Sequence, residues 1–170
     1  MKNRKSNKAL FFLRACARFL TIAGIMVFFP FSAFSDDGLH ISVVYNNVAF
    51  SDEMELDWGF SCVVRSPDRT ILFDTGSDGR ILLKNMATLG IDPREVDAVF
   101  LSHKHGDHIG GVTDFLRRNP KVAVYVPKSF SSILNEKIKN PSTKIIPVAE
   151  PNRLYENVYS TGEMLSLIHI

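Results

Sequence analysis

The residues best suited to chemistry are packed into one hexapeptide, His103-Lys104-His105-Gly106-Asp107-His108, which sets four metal-ligand side chains in six positions. A match of this kind arises by chance on the order of a few times in ten thousand chains of this length, so a merely His-rich surface loop is a poor account of it. Side chains alternate in an extended segment, so His103 and His105 point the same way and can share one cation. Gly106 lets the backbone turn and presents Asp107 and His108 toward a neighbouring second cation. Imidazole and carboxylate donors suit zinc, or iron or manganese where more oxygen ligands join.

The elements around the hexapeptide must hold it still. Ala98-Val99-Phe100-Leu101 reads as a buried strand, and Gly110-Gly111 followed by Val112 to Arg118 reads as a helix that Asn119-Pro120 ends. Upstream, Ile41 to Tyr45 reads as a strand with Asn46-Asn47 as its turn, and Trp58 to Arg65 as a second strand. The turn Ser66-Pro67-Asp68-Arg69 leads to a third, Thr70 to Phe73, which ends at Asp74-Thr75-Gly76. Ile81, Leu82, Met86 and Leu89 recur near helical spacing over Arg80 to Leu89, and Gly90 stops that helix. Asp92-Pro93 opens a short helical turn, with Asp as N-cap and Pro at the first helical position. Lys121 to Val126, Ser129 to Lys139 and Lys144 to Val148 read as strand, helix and strand. The expected class is α/β (α+β): a sheet covered by helices, with the ligands outside its carboxyl edge.

Residues 1–35 read as a targeting segment. Lys2, Arg4, Lys5, Lys8, Arg14 and Arg18 precede the uncharged run Phe19 to Ser35, and Ala33-Phe34-Ser35 offers an A-x-A-like cleavage site. The rival is an uncleaved membrane anchor, although the run is short for a span and Pro30 interrupts it. Either way the remainder is expected to be exported, to the periplasm or the medium. Without those six basic residues, the 20 Lys and Arg fall to 14 against 18 Asp and Glu, a net charge of −4. Nothing basic then recommends nucleic acid as a partner; a small-molecule substrate is expected, with membrane contact only through an uncleaved leader. Cys16 lies in the leader, which leaves Cys62 alone and rules out an intrachain disulfide downstream. Cys62 reads as a small buried core thiol.

At the other end, Leu165-Ser166-Leu167-Ile168-His169-Ile170 is the peptide encoded by CTG TCT CTT ATA CAC ATC, which resembles a transposon-end adapter of sequencing libraries. Residues 165–170 are accordingly expected to be adapter read-through, the gene to continue past Met164, and His169 not to be a ligand.

Leu101-Ser102-His103-Lys104-His105-Gly106-Asp107-His108-Ile109-Gly110-Gly111 and Ile71-Leu72-Phe73-Asp74-Thr75-Gly76 resemble the metallo-β-lactamase superfamily, over residues 41 to about 164. Trp58-Gly59-Phe60-Ser61, Gly90-Ile91-Asp92 and Val158-Tyr159-Ser160-Thr161-Gly162-Glu163 are similar to a branch related to dihydropterin ribofuranosyl-aminobenzene phosphate synthase. The resemblance implies an αββα sandwich with one or two metal ions between its sheets, of which residues 36–164 would be the N-terminal half. It implies that His103 and His105 bind the first metal and Asp107 and His108 the second, zinc before iron or manganese. Asp74 would be the carboxylate that supports the metal loop; Gly110 and Gly111 would pack that loop closely or mark a helix start. A third His, a bridging Asp and a last His would come from later strands, so a half sandwich should leave an apolar patch open.

The implied activity, for the full-length protein, is that of an exported metal-dependent hydrolase that uses metal-activated water on a small ester, amide, lactone or phosphoester; the fragment itself is expected to be inactive. Asp107 would be both ligand and catalytic orienter of the nucleophile. The alternative is a non-catalytic exported protein of the same fold that binds metal or a small metabolite, because fold alone does not set function.

Overall fold

The computed structural model describes residues 38–48 and 51–164. The expectations for the 1–35 leader with Cys16, and for residues 165–170 with His169, lie outside the described residues.

Six strands form one sheet in sequence order: β1 (His40–Tyr45), β2 (Ser61–Arg65), β3 (Thr70–Phe73), β4 (Ala98–Phe100), β5 (Ala123–Pro127) and β6 (Lys144–Val148). β1, β2 and β3 run antiparallel, while β3 to β6 are parallel. Parallel neighbours need crossovers, and helices supply them. Between β3 and β4 runs α1 (Gly79–Thr88). Between β4 and β5 lie the single turn α2 (Gly106–Ile109) and α3 (Val112–Arg118), and between β5 and β6 lies α4 (Ser131–Lys137). A hairpin of β7 (Asn152–Tyr155) and β8 (Val158–Ser160) follows.

Local chemistry explains the element ends. The β2–β3 turn closes where Ser66 N–H donates to Arg69 O (2.8 Å) and Arg69 N–H donates to Ser66 Oγ (3.1 Å). Asp78 caps α1 by accepting from Arg80 N–H (2.8 Å), and Asp92 does the same for a 3₁₀ turn over Pro93–Glu95. α1 buries Leu82 and Met86, four residues apart, which is one face of a helix.

The two sheet faces differ. Val63, Leu72, Val99 and Val124 pair in register along one face, where they are buried in one core with Leu82, Met86, Phe115 and Leu134 from the helices. The other face carries the row Val43, Cys62, Phe73, Phe100, Tyr125 and Ile146. There Val43 keeps 44% and Phe73 38% of its surface exposed. Phe100 stacks on Tyr125 at 4.7 Å, and Tyr125 O–H donates to the Tyr155 hydroxyl of β7 (2.8 Å). Arg69 lies 3.8 Å over the Tyr155 ring. Cys62 is buried in that row, and burial pushes its thiol pKa up, as suits a packed thiol rather than a nucleophile.

The expected sheet with covering helices is the architecture found, with helices on one face and apolar residues open on the other. Thr70–Phe73, Val112–Arg118 and Lys144–Val148 hold the bounds read from sequence. Others shift. The expected strand from Trp58 begins only at Ser61, because the preceding N–H groups bond outside the sheet: Trp58 to Asp57 Oδ1, Gly59 to Asn47 Oδ1 and Phe60 to Asp107 O of the histidine loop. The expected helix Ser129 to Lys139 is a 3₁₀ turn, Lys128–Phe130, followed by the shorter α4. Gly106 to Ile109, expected as loop, winds into a helical turn.

Candidate metal centre

Adjacent parallel strands create the site. β3 and β4 pair through Phe73 and Phe100 at their carboxyl ends, so the next residues, Asp74 and Leu101-Ser102-His103, leave the sheet side by side. That edge is where open α/β sheets gather functional groups.

Asp74 is the fixed point. It is buried, 1% exposed, and holds φ +56°, a left-handed backbone that non-glycine residues adopt only when surroundings enforce it. Here they do. Asp74 N–H donates to Phe100 O (2.8 Å) and Asp74 O accepts from Ser61 Oγ (2.8 Å). Its Oδ1 accepts from Ser102 N–H (2.7 Å), and its Oδ2 accepts from the Ser102 hydroxyl (2.7 Å) and from His108 Nδ1 (2.8 Å). One carboxylate therefore grips both ends of the histidine loop.

The rest of the turn adds backbone stitches. Thr75 N–H (2.7 Å) and Thr75 Oγ1 (3.0 Å) both donate to His108 O, and Gly111 N–H donates to Gly76 O (3.2 Å). A Cβ on Gly110 would stand 2.1 Å from Ser77 O, and one on Gly111 2.3 Å from Thr75 O. The glycine pair is thus needed for close approach to the Asp74 turn, while Gly111 also serves as N-cap of α3. On the other side Phe60 N–H donates to Asp107 O (3.3 Å), and a Cβ on Gly59, at φ +138°, would stand 2.2 Å from that oxygen.

The donors project from this frame. His103 Nε2 and His105 Nδ1 lie 3.2 Å apart. Two nitrogens each about 2.0–2.1 Å from one tetrahedral zinc are about 3.3–3.4 Å apart, so this spacing fits a shared cation. The His108 ring centroid is 4.1 Å from that of His103, and His108 Nε2 is 3.5 Å from Asp107 Oδ2, again the spacing of two ligands on one ion. Burial, followed by the neighbouring His108 and His105 rings, holds the His103 pKa below its ordinary value, favouring the neutral imidazole that ligates metal. Among the described residues no group of three or more His, Cys, Asp or Glu side chains is gathered as a complete cage; the donors come as adjacent pairs.

All five residues expected at the site, Asp74, His103, His105, Asp107 and His108, thus meet at one edge. Ser102, Thr75, Ser61 and Gly59 were not expected there. All four lie within the segments that carry the family resemblance, but none had been given a role at the site.

Known proteins share this architecture. The chain is 28% identical over 114 residues to the 7,8-dihydropterin-6-methyl-4-(beta-D-ribofuranosyl)-aminobenzene-5'-phosphate synthase of Methanocaldococcus jannaschii, covering 56% of this chain and 39% of that protein. It is 35% identical over 66 residues to the hydroxyacylglutathione hydrolase of Aeromonas salmonicida, covering 39% of this chain and 24% of that protein. The chain therefore spans well under half the length of these curated relatives. In fold it is similar to the metallo-beta-lactamase fold protein YhfI from Bacillus subtilis, with a TM-score of 0.52 and 21% identity, over 69% of this chain and 49% of that one. The family profile of the metallo-beta-lactamase superfamily matches residues 59–166, and the chain belongs to that superfamily.

Proposed function

We propose that the protein is an exported metal-dependent hydrolase of small esters, amides, lactones or phosphoesters, with zinc as the first choice of metal. One relative, the hydroxyacylglutathione hydrolase of Aeromonas salmonicida, is named for hydrolysis, which supports this reading. The observation that carries the reading is the 3.2 Å separation of His103 Nε2 and His105 Nδ1 beside the Asp74-anchored His108. His103 and His105 would hold one cation, and Asp107 with His108 a second. A bound zinc ion brings the pKa of a water to about 7 and polarises a carbonyl or phosphoryl oxygen.

The chain's own residues supply position. Asp74 draws the His108 Nδ1 proton to itself and so aims His108 Nε2 outward toward Asp107. The Asp107 carboxylate, on the first turn of α2, would hold the second ion and would also orient the attacking water by accepting its hydrogen bond. The net charge of −4 beyond residue 35 supports a small-molecule substrate over nucleic acid. The basic start and the uncharged Phe19 to Ser35 support export.

The test is turnover by the purified full-length protein, loaded in turn with zinc, manganese and iron, on nitrophenyl esters, phosphodiesters and lactones. Metal-dependent turnover that His105→Ala removes is expected. Metal-saturated protein inert on the whole panel would instead favour a binding protein, and unchanged activity in His105→Ala would overturn the ligand assignment.

A further inference from the structure

We propose that Ser102 is a positioning residue: its hydroxyl couples Asp74 to His103 and fixes the His103 tautomer with the proton on Nδ1 and the lone pair on Nε2. The proposal rests on the reading above only in supposing that His103 Nε2 faces a metal. It follows from counting protons along one chain of contacts. Asp74 Oδ2 can only accept from the Ser102 hydroxyl, 2.7 Å away, and a hydroxyl has one proton to give. Ser102 Oγ is also 2.8 Å from His103 Nδ1. With its proton spent on Asp74, Ser102 must accept there, so His103 Nδ1 carries the hydrogen. Nε2, which is 3.2 Å from His105 Nδ1, is left with its lone pair.

Asp74 thereby orients two imidazoles at once. It acts on His108 directly, through Nδ1 at 2.8 Å, and on His103 through one intervening hydroxyl. No net proton is gained or lost; the relay selects between two neutral forms. Alanine at 102 would keep the backbone N–H bond to Asp74 Oδ1 and lose only the relay.

Long-range nitrogen–proton correlation spectra of the metal-free full chain, with His103 assigned by comparison with His103→Gln, read the tautomer without reference to any metal. The wild type is expected to show His103 protonated on Nδ1. Ser102→Ala is expected to move that population toward the Nε2-protonated form and to weaken zinc binding by about 10–100-fold, while Ser102→Thr, which keeps the hydroxyl, restores both. Wild-type His103 protonated on Nε2, or an unchanged tautomer in Ser102→Ala, would overturn the relay. A chain that shows the tautomer shift yet takes up no zinc supports the relay and sinks the metal reading instead, so the two fail separately.

Discussion

The Asp74 turn and the histidine loop face each other across one pair of strands, yet they are built on opposite terms. The turn is buried, strained at φ +56° and saturated with hydrogen bonds. The loop leaves His105 exposed and His103, Asp107 and His108 half-buried. Donors that must accept a metal and admit substrate have to stay accessible, and accessible side chains on a loop lose their geometry unless something rigid holds them. Here the rigidity is concentrated in a residue that need touch neither metal nor substrate. Stability and ligation should therefore separate on mutation.

The sharpest separation is between Asp74→Ala and His105→Ala. Removing Asp74 strips three side-chain hydrogen bonds from a buried position, at a cost on the order of 3 kcal/mol. His105→Ala should stay within about 0.5 kcal/mol of wild type in denaturant titration. Its zinc affinity should nevertheless fall by more than the roughly 10–100-fold expected for losing a supporting partner. Equal destabilisation by both substitutions would break the division.

Next comes Gly111→Ala, whose new methyl group would meet Thr75 O at 2.3 Å. Thermal or denaturant unfolding should show a loss of about 1–3 kcal/mol, whereas Gly106→Ala, with nothing near its missing Cβ, should lose less. Thr75→Val keeps the backbone bond to His108 O and drops only the hydroxyl bond, so about 1 kcal/mol is expected.

A last effect, no larger than that of Thr75→Val, tests a site away from both regions. Asp78→Ala removes the α1 cap, worth about 1 kcal/mol by denaturant titration. The Arg80 side chain, then its backbone N–H, holds the Asp78 pKa below the usual value. A lowered folded-state pKa makes this contribution present above the unfolded carboxylate value of about 3.9 and lost as pH falls below it. Acid titrations of wild type and Asp78→Ala should accordingly converge at the lowest pH.

Sequence patterning carried the strands and most helices because their signals are local. Thr70–Phe73 is a short β-branched and apolar run after a turn, and Val112–Arg118 is closed by Asn119-Pro120. The histidine motif was legible because its donors sit within six positions. What escaped were contacts between distant segments: Ser102 with Asp74, 28 positions apart, and Thr75 with His108, 33 apart. A serine beside a histidine is too common to announce a relay. The start of β2 was misplaced for the same reason. Trp58-Gly59-Phe60 continues the apolar pattern locally, but its N–H groups bond Asp57 Oδ1, Asn47 Oδ1 and Asp107 O rather than a neighbouring strand.

The central claim is that the imidazoles around residue 105 grip a transition metal, and equilibrium zinc titration with elemental analysis of the dialysed protein tests it most directly. The account predicts bound zinc in the wild type and a lower zinc content, from loss of the first ion, in both His103→Ala and His105→Ala, with folding retained. A correctly folded wild type that emerges free of transition metal after saturation, or a His105→Ala variant that retains as much as wild type, would contradict it.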